Sequence, residues 1–311
     1  MAVIVVVPNP DTDTGVPRIA ASLVSSLRAV RGQVPAADRI KVVEFADLRA
    51  RLEPTAGGLG EPAADQPEQL RSAASADGAG CPDPGAAAAG TLVERAAAVD
   101  PAEAAEPAEH SRIEHEVLEG WWGAAVRTGQ GRGLPQDLAA ALAGTAHFAQ
   151  QPQPPEHTAR ELRRYLTDRK FRHELRDRAQ ACIGPETKVV VGHALGGLIA
   201  YEALCAVSDT ISVSLVTLGP ALCGPRVVFD LLDPAPRSNQ GEWPAAVRHW
   251  SNIVANTDLT AQCEARLTAR FGPGIDDLVI EPRAVTESLS GYLLDRSTGL
   301  AVATGLAAEF R

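Results

Sequence analysis

A chain of 311 residues, 45% of them hydrophobic, carries enough apolar surface for one sizeable α/β domain or two small ones, which excludes a wholly disordered or fibrous protein. A formal charge of −10 argues against a nucleic-acid partner and against an anionic membrane surface, since both want clustered Lys and Arg. Five cysteines (Cys81, Cys182, Cys205, Cys223, Cys263), odd in number and without C-x-x-C spacing, argue against a disulfide framework and against a zinc knuckle. No apolar run approaches the roughly 18 residues of a membrane span, and the opening run lacks the basic flank of a signal peptide. The expectation is a cytoplasmic protein with no metal and no cofactor. Lysine is confined to Lys41, Lys170 and Lys188 while Arg, Ala, Gly and Pro abound, a bias that reads as a GC-rich bacterial genome.

In chain order, residues 2–7 are an almost wholly β-branched run of the kind found in strands covered on both faces. A polar turn follows, Pro8-Asn9-Pro10-Asp11-Thr12-Asp13-Thr14-Gly15, and then Ile19, Ala20, Leu23, Leu27 and Val30 fall at helical spacing. Residues 41–45 are a second buried-type strand, so the opening predicts a parallel pair with a right-handed crossover. Between 51 and 109 the pattern dissolves into Ala, Gly, Pro and acidic residues, too poor in large apolar groups to offset its ordering entropy. Helical patterning resumes over 113–126, with the pair Trp121-Trp122, and continues over 134–149 and 159–182. Strands at 188–191, 211–218, 249–254 and 278–281 alternate with helices at 195–207 and 292–310. This alternation predicts an α/β fold, a doubly wound and mostly parallel sheet. The chain reads as a single domain over 1–311, with a helical cap and low-complexity insertion over 48–160, of which 51–109 is expected to be mobile.

The most informative stretch is Gly192-His193-Ala194-Leu195-Gly196-Gly197, placed between a strand and a helix. Glycines stand where strand and helix must approach closely, and the helix N-terminus points at whatever residue occupies the turn. GHALGGLIAYEAL resembles the GHSLGG nucleophile elbow of α/β-hydrolases of the esterase and lipase type. Ser214-Leu-Val-Thr-Leu-Gly-Pro220 resembles the strand after the elbow helix, and Trp250 to Asp258 resembles the strand leading to the acid loop. The stretch 287–299 resembles the histidine loop and final helix of bacterial members.

The resemblance implies a site with several departures. The nucleophile should be Ser but is Ala194, and a methyl group cannot attack a carbonyl. Asp258 fits the acid. The base should be a histidine after that acid, yet His249 is the last in the chain, and Glu287 aligns with its place. The oxyanion loop reads Pro8-Asn9-Pro10-Asp11, two residues without an N–H and a nearby carboxylate, where a developing oxyanion wants donors. His193 reads as structural, and Leu195 follows the elbow beside the oxyanion position. Asp11, Asp258 and Glu287 would converge at the top of the sheet and give the cleft a negative potential.

Other features read blandly. Asp11-Thr12-Asp13-Thr14 looks like an aspartate-phosphatase motif, but Pro8-Asn9-Pro10 separates it from the strand, and a helix cap at Asp13 or Thr14 fits better. Trp121 and Trp122 read as anchors of the cap, and His110 and His115 do not share a helical face.

The expectation is therefore a catalytically degenerate hydrolase-like protein, a binding, scaffolding or regulatory module with a protein partner or paralogue, or a small-molecule ligand in a vestigial pocket. Two alternatives stand beside it: a cytoplasmic serine esterase with its nucleophile replaced, and non-hydrolytic chemistry using Asp258 or Glu287 as general base. Limited proteolysis should cut first within 51–109 and leave two associated fragments, because loop closure costs little extra for added length. First cleavage near Ala194 or in the closing helix would contradict this.

Overall fold

The computed structural model describes residues 3–11, 15–45, 107–262, 266–281 and 288–308. The expected mobile insertion lies outside the described residues apart from 107–109, which are described as helical backbone only. Six strands form one sheet: β1 (Ile4–Val7), β2 (Ile40–Val42), β3 (Val189–His193), β4 (Val213–Leu218), β5 (Val247–Ala255) and β6 (Ile275–Ile280). Every neighbouring pair is parallel, in the order β2-β1-β3-β4-β5-β6. The winding reverses between β1 and β3. In open parallel sheets, that reversal opens a crevice beyond the strands' carboxyl ends.

The strand sequences dictate two cores. With a period of two, Ile4, Val6, Val189, Val191, Val216 and Leu218 point to one face. There they meet Ile19, Leu23 and Leu27 of α1 (Val16–Ala29) and Val302 and Leu306 of the closing helix. Val5, Val7, Val190, Leu215 and Trp250 point to the other face, against Val117, Leu162, Tyr165, Leu175, Leu198 and Tyr201. That face carries α2 (Pro107–Arg127), α3 (Leu138–Ala143), α4 (Pro155–Thr167), α5 (Arg169–Gln180) and the elbow helix α6 (Leu195–Cys205). Each fully buried Val or Leu contributes roughly 1.5–3 kcal/mol, so both faces are needed to hold the sheet. Covered on both sides, the central strands show continuous apolar runs rather than alternation. β6 is an edge strand, and its Val279 is 63% exposed.

Several predicted elements divide. The helix expected over 159–182 is two helices, because Asp168 ends one and caps the next by accepting from Phe171 N at 2.9 Å. The helix expected over 292–310 likewise splits into α9 (Leu289–Leu294) and α10 (Arg296–Ala307) at Asp295, which accepts from Ser297 N at 2.7 Å. Of 134–149, only α3, capped by Asp137, and a 3-10 turn at Phe148–Gln150 are helical. Two short helices, α7 (Arg226–Asp230) and α8 (Leu267–Phe271), were not expected, and β6 begins at Ile275 rather than 278. No helix among the described residues is long and apolar enough to cross a membrane.

A buried ion pair fastens the helical layer to the elbow helix. Glu202 of α6 is fully buried and takes the Arg172 guanidinium on both carboxylate oxygens, Nε at 2.8 Å from Oε2. Tyr165 Oη donates to Oε2 at 2.7 Å and the Asp233 N–H to Oε1 at 3.1 Å. Burial, then the Glu202 charge, push the Tyr165 phenol well above its ordinary value and keep it a donor. For Arg172, burial opposes the charge, but the Glu202 hydrogen bond and charge outweigh it and raise the guanidinium's pKa. Glu202→Ala should destabilise the fold by about 3–5 kcal/mol, because it leaves a largely buried guanidinium without its carboxylate. Glu202→Leu combined with Arg172→Met should cost less than Glu202→Ala alone in urea unfolding, whereas equal costs would show that the pair is not coupled.

Candidate functional site

The site is built on the two strands that flank the reversal. Beyond β3 the chain turns sharply into α6, and the close packing there follows from two glycines. A Cβ on Gly196 would strike the carbonyl oxygens of Val7 and Pro8, and one on Gly192 would come within 2.7 Å of Gly197 Cα. Gly197 itself faces Pro220. Between them Ala194 adopts φ 51°, ψ −123°, a left-handed conformation that costs a non-glycine residue roughly 1–3 kcal/mol. Its neighbours hold it there. The Ala194 N–H donates to Leu218 O at 3.1 Å, and its carbonyl accepts from Gly197 N and Ala221 N, both at 3.0 Å. A sharp, glycine-packed turn from strand to helix is thus present, with a methyl group at its apex.

Asp258 follows β5 and is buried, its carboxylate wrapped in donors. Oδ1 accepts from Thr260 Oγ1 at 2.7 Å, Thr260 N at 3.1 Å and Ala261 N at 3.2 Å. Oδ2 accepts from Tyr292 Oη at 2.8 Å. These bonds compensate the burial of the charge. Tyr292 also accepts from Ala255 N at 2.9 Å and lies against the His193 ring, centroids 5.6 Å apart.

Although no histidine follows Asp258 in the chain, one from earlier in the chain stands near it. His147, just before the 3-10 turn, is 3% exposed and places Nδ1 at 4.0 Å from Asp258 Oδ1. Its ring stands edge-on to Phe148. His249 lies towards the amino end of β5, where it meets Asp276 at 3.2 Å, away from the site. Glu287, aligned with the base, lies outside the described residues.

Ala194, His193, Leu195, His147 and Asp258 line one cavity of about 500 Å³. Asn9 and Asp11 of the loop after β1 line it too, while Pro8 and Pro10 are buried behind them. Trp121, Phe148, Leu162 and Leu289 supply an apolar wall. Leu195 is the first residue of α6, so a helix N-terminus, with N–H groups outside the helical ladder, opens on the space. Of the three carboxylates expected to converge, Asp11 and Asp258 do. Glu161 of α4 also lines the cavity, and no Lys or Arg does among the described residues.

Sequence reasoning missed His147 and Glu161. Glu161 had a signal, since His157 and Glu161 are one helical turn apart on α4. His147 had none, because it stands in an irregular segment whose position depends on the whole cap. Trp121 is 2% exposed, lies against Phe148 with ring centroids 5.5 Å apart, and also lines the cavity. Neither a family model, nor a curated protein, nor a solved structure matches this chain.

Serine at position 194 would stand in the same cavity as the His147–Asp258 pair. The Ala194→Ser protein should acquire labelling by a fluorophosphonate, and adding His147→Ala should slow it about a hundredfold or more, the usual worth of a general base. Ester turnover should stay low even so, because the Pro8-Asn9-Pro10-Asp11 loop offers few donors, and a missing oxyanion donor costs about 10²–10³. Labelling indifferent to His147→Ala would remove that residue from the role of base.

Proposed function

We propose that the chain is an α/β-hydrolase-like protein whose cavity holds a small molecule without cleaving it by a serine mechanism. Support for the fold family comes from the strand order, with the elbow after β3 and the acid after β5. The observation that carries the functional reading is the content of the cavity. An apolar wall and a helix N-terminus are present, but the apex residue is Ala194 and the charged groups are the carboxylates of Asp11, Glu161 and Asp258. Acyl transfer develops an oxyanion, which such a lining opposes. A neutral or basic ligand suits it better. At about 4 Å a carboxylate–cation pair near the surface gains roughly 4 kcal/mol of gross Coulomb energy, much of it cancelled by desolvation.

A second reading, proton transfer by a His147–Asp258 dyad acting as general base, is favoured by one observation. Nδ1 of His147 faces the carboxylate, which directs the other ring nitrogen elsewhere, and catalytic contacts of this kind are often long before a substrate binds.

Matched amines and carboxylates with the same apolar body should be compared by thermal shift on chelator-treated protein. Amines should raise the melting temperature, carboxylates should not, and Thr158→Trp, which projects into the cavity, should weaken amine binding about tenfold or more. Stabilisation by the carboxylates, or binding indifferent to Thr158→Trp, would overturn the assignment of this cavity.

A further inference from the structure

Asp11 is reached by a histidine that the serine-hydrolase resemblance does not anticipate. His157 and Glu161 stand one turn apart on α4, and Asp11 comes from the loop after β1, 146 residues earlier than His157. His157 Nε2 is 3.0 Å from Asp11 Oδ2 and 3.7 Å from Glu161 Oε1, and the three donor atoms lie within 4.8 Å of one another. Two ligand atoms, each about 2.1 Å from one ion, stand roughly 3.0–3.4 Å apart in octahedral or tetrahedral geometry. Both measured separations fall close to that range. We propose that Asp11, His157 and Glu161 bind a divalent first-row transition-metal ion at the edge of the cavity.

An ion pair alone accounts for less of this arrangement. One Nε2–H donates well to a single carboxylate, yet two carboxylates flank the same nitrogen. Two carboxylate oxygens and one imidazole nitrogen grouped this closely are a donor set that a divalent cation can take. The contrast with α2 is informative: His115 and Glu119 have the same helical spacing and a 3.2 Å contact, but both are exposed and no third donor joins them among the described residues. At the proposed site the Asp11 side chain is only 10% exposed, and Asp11 and Glu161 line the cavity. One imidazole and two carboxylates suit Zn²⁺, Mn²⁺ or Co²⁺. Ca²⁺ wants six to eight oxygens, and Cu(I) wants sulfur.

Three protein ligands leave open positions, and the cavity lies beside them. An ion held there would take an oxygen donor from the cavity's ligand, a carbonyl or carboxylate, and would reverse the local charge preference. The site stands on its own donors, and the experiment reads the metal alone.

Chelator-stripped full-length protein should be titrated calorimetrically with Zn²⁺ and Mn²⁺, and with Co²⁺ followed by visible absorption. One equivalent should bind per chain, with a Co²⁺ spectrum characteristic of nitrogen and oxygen ligation. His157→Ala, Asp11→Asn and Glu161→Gln should each weaken binding about tenfold or more, with circular dichroism unchanged, while His115→Ala leaves it intact. Absence of saturable binding would overturn the proposal and leave a His157–Asp11 ion pair only. Binding that survives both His157→Ala and Asp11→Asn would also overturn it, by placing the ion elsewhere on the chain.

Discussion

The upper edge of the sheet is governed by how closely the first turn of α6 lies on the ends of β1 and β3. Side chains at Gly192 or Gly196 would collide with backbone, so the helix can descend onto the sheet only with glycine at both positions. That descent forces a sharp reversal between strand and helix, and Ala194 absorbs it at φ 51°. The strain is sustained because the Ala194 N–H and carbonyl are tied to Leu218, Gly197 and Ala221. From this packing follow the wall shared by the β1 loop and the α6 N-terminus, and the crevice into which Asp258 and His147 reach.

The inner strands were legible because they are short apolar runs bounded by Gly, Pro and polar turns, whereas the edge strand β6, with Asp276 and Asp277 inside it, was read only in its last residues. The elbow was legible because three glycines at fixed offsets have a steric reason to be there. Helix boundaries were less so. Asp168 and Asp295 sit inside apolar-periodic stretches, and only their capping bonds to Phe171 and Ser297 reveal that they interrupt a helix. The Glu202–Arg172–Tyr165 network was invisible for a related reason. Glu202 lies in an apolar helix, and its burial is permitted only by a guanidinium arriving from α5 and a hydroxyl from α4. Such pairings are facts of tertiary structure with no local pattern.

The same distinction separates platform from chemistry. The sheet and α6 place Ala194 and Asp258, while the helical layer over them brings His147, Glu161 and Trp121 to the cavity. Functional groups carried on connecting segments depend on the scaffold for position but not for identity, so a scaffold can keep its shape while the groups facing the cleft change. Chain order was therefore a poor guide to which residues meet. His147 precedes Asp258 in the chain, and nothing in the geometry of the two requires it to follow.

The strained turn carries alanine at its apex, and that bears on what such a turn means. Were the left-handed turn maintained only for catalysis, an alanine there would carry a strain of roughly 1–3 kcal/mol for no return. Here the turn is required by the packing of α6 against β1 and β3, which Gly192 and Gly196 impose whatever residue occupies position 194. The turn thus reports on packing and says little about a reaction. Electrostatics say more. Asp11, from the loop expected to carry oxyanion donors, and Glu161 bring carboxylates to the cavity, with no Lys or Arg in the lining among the described residues. His157 stands between the two, 3.0 Å from Asp11 and 3.7 Å from Glu161, so a cation bound there would share both carboxylates with its imidazole. The proposed reading, a cavity that takes a cation or a neutral ligand, rests on this lining, and that lining is also what sets the reading apart from serine-based acyl transfer.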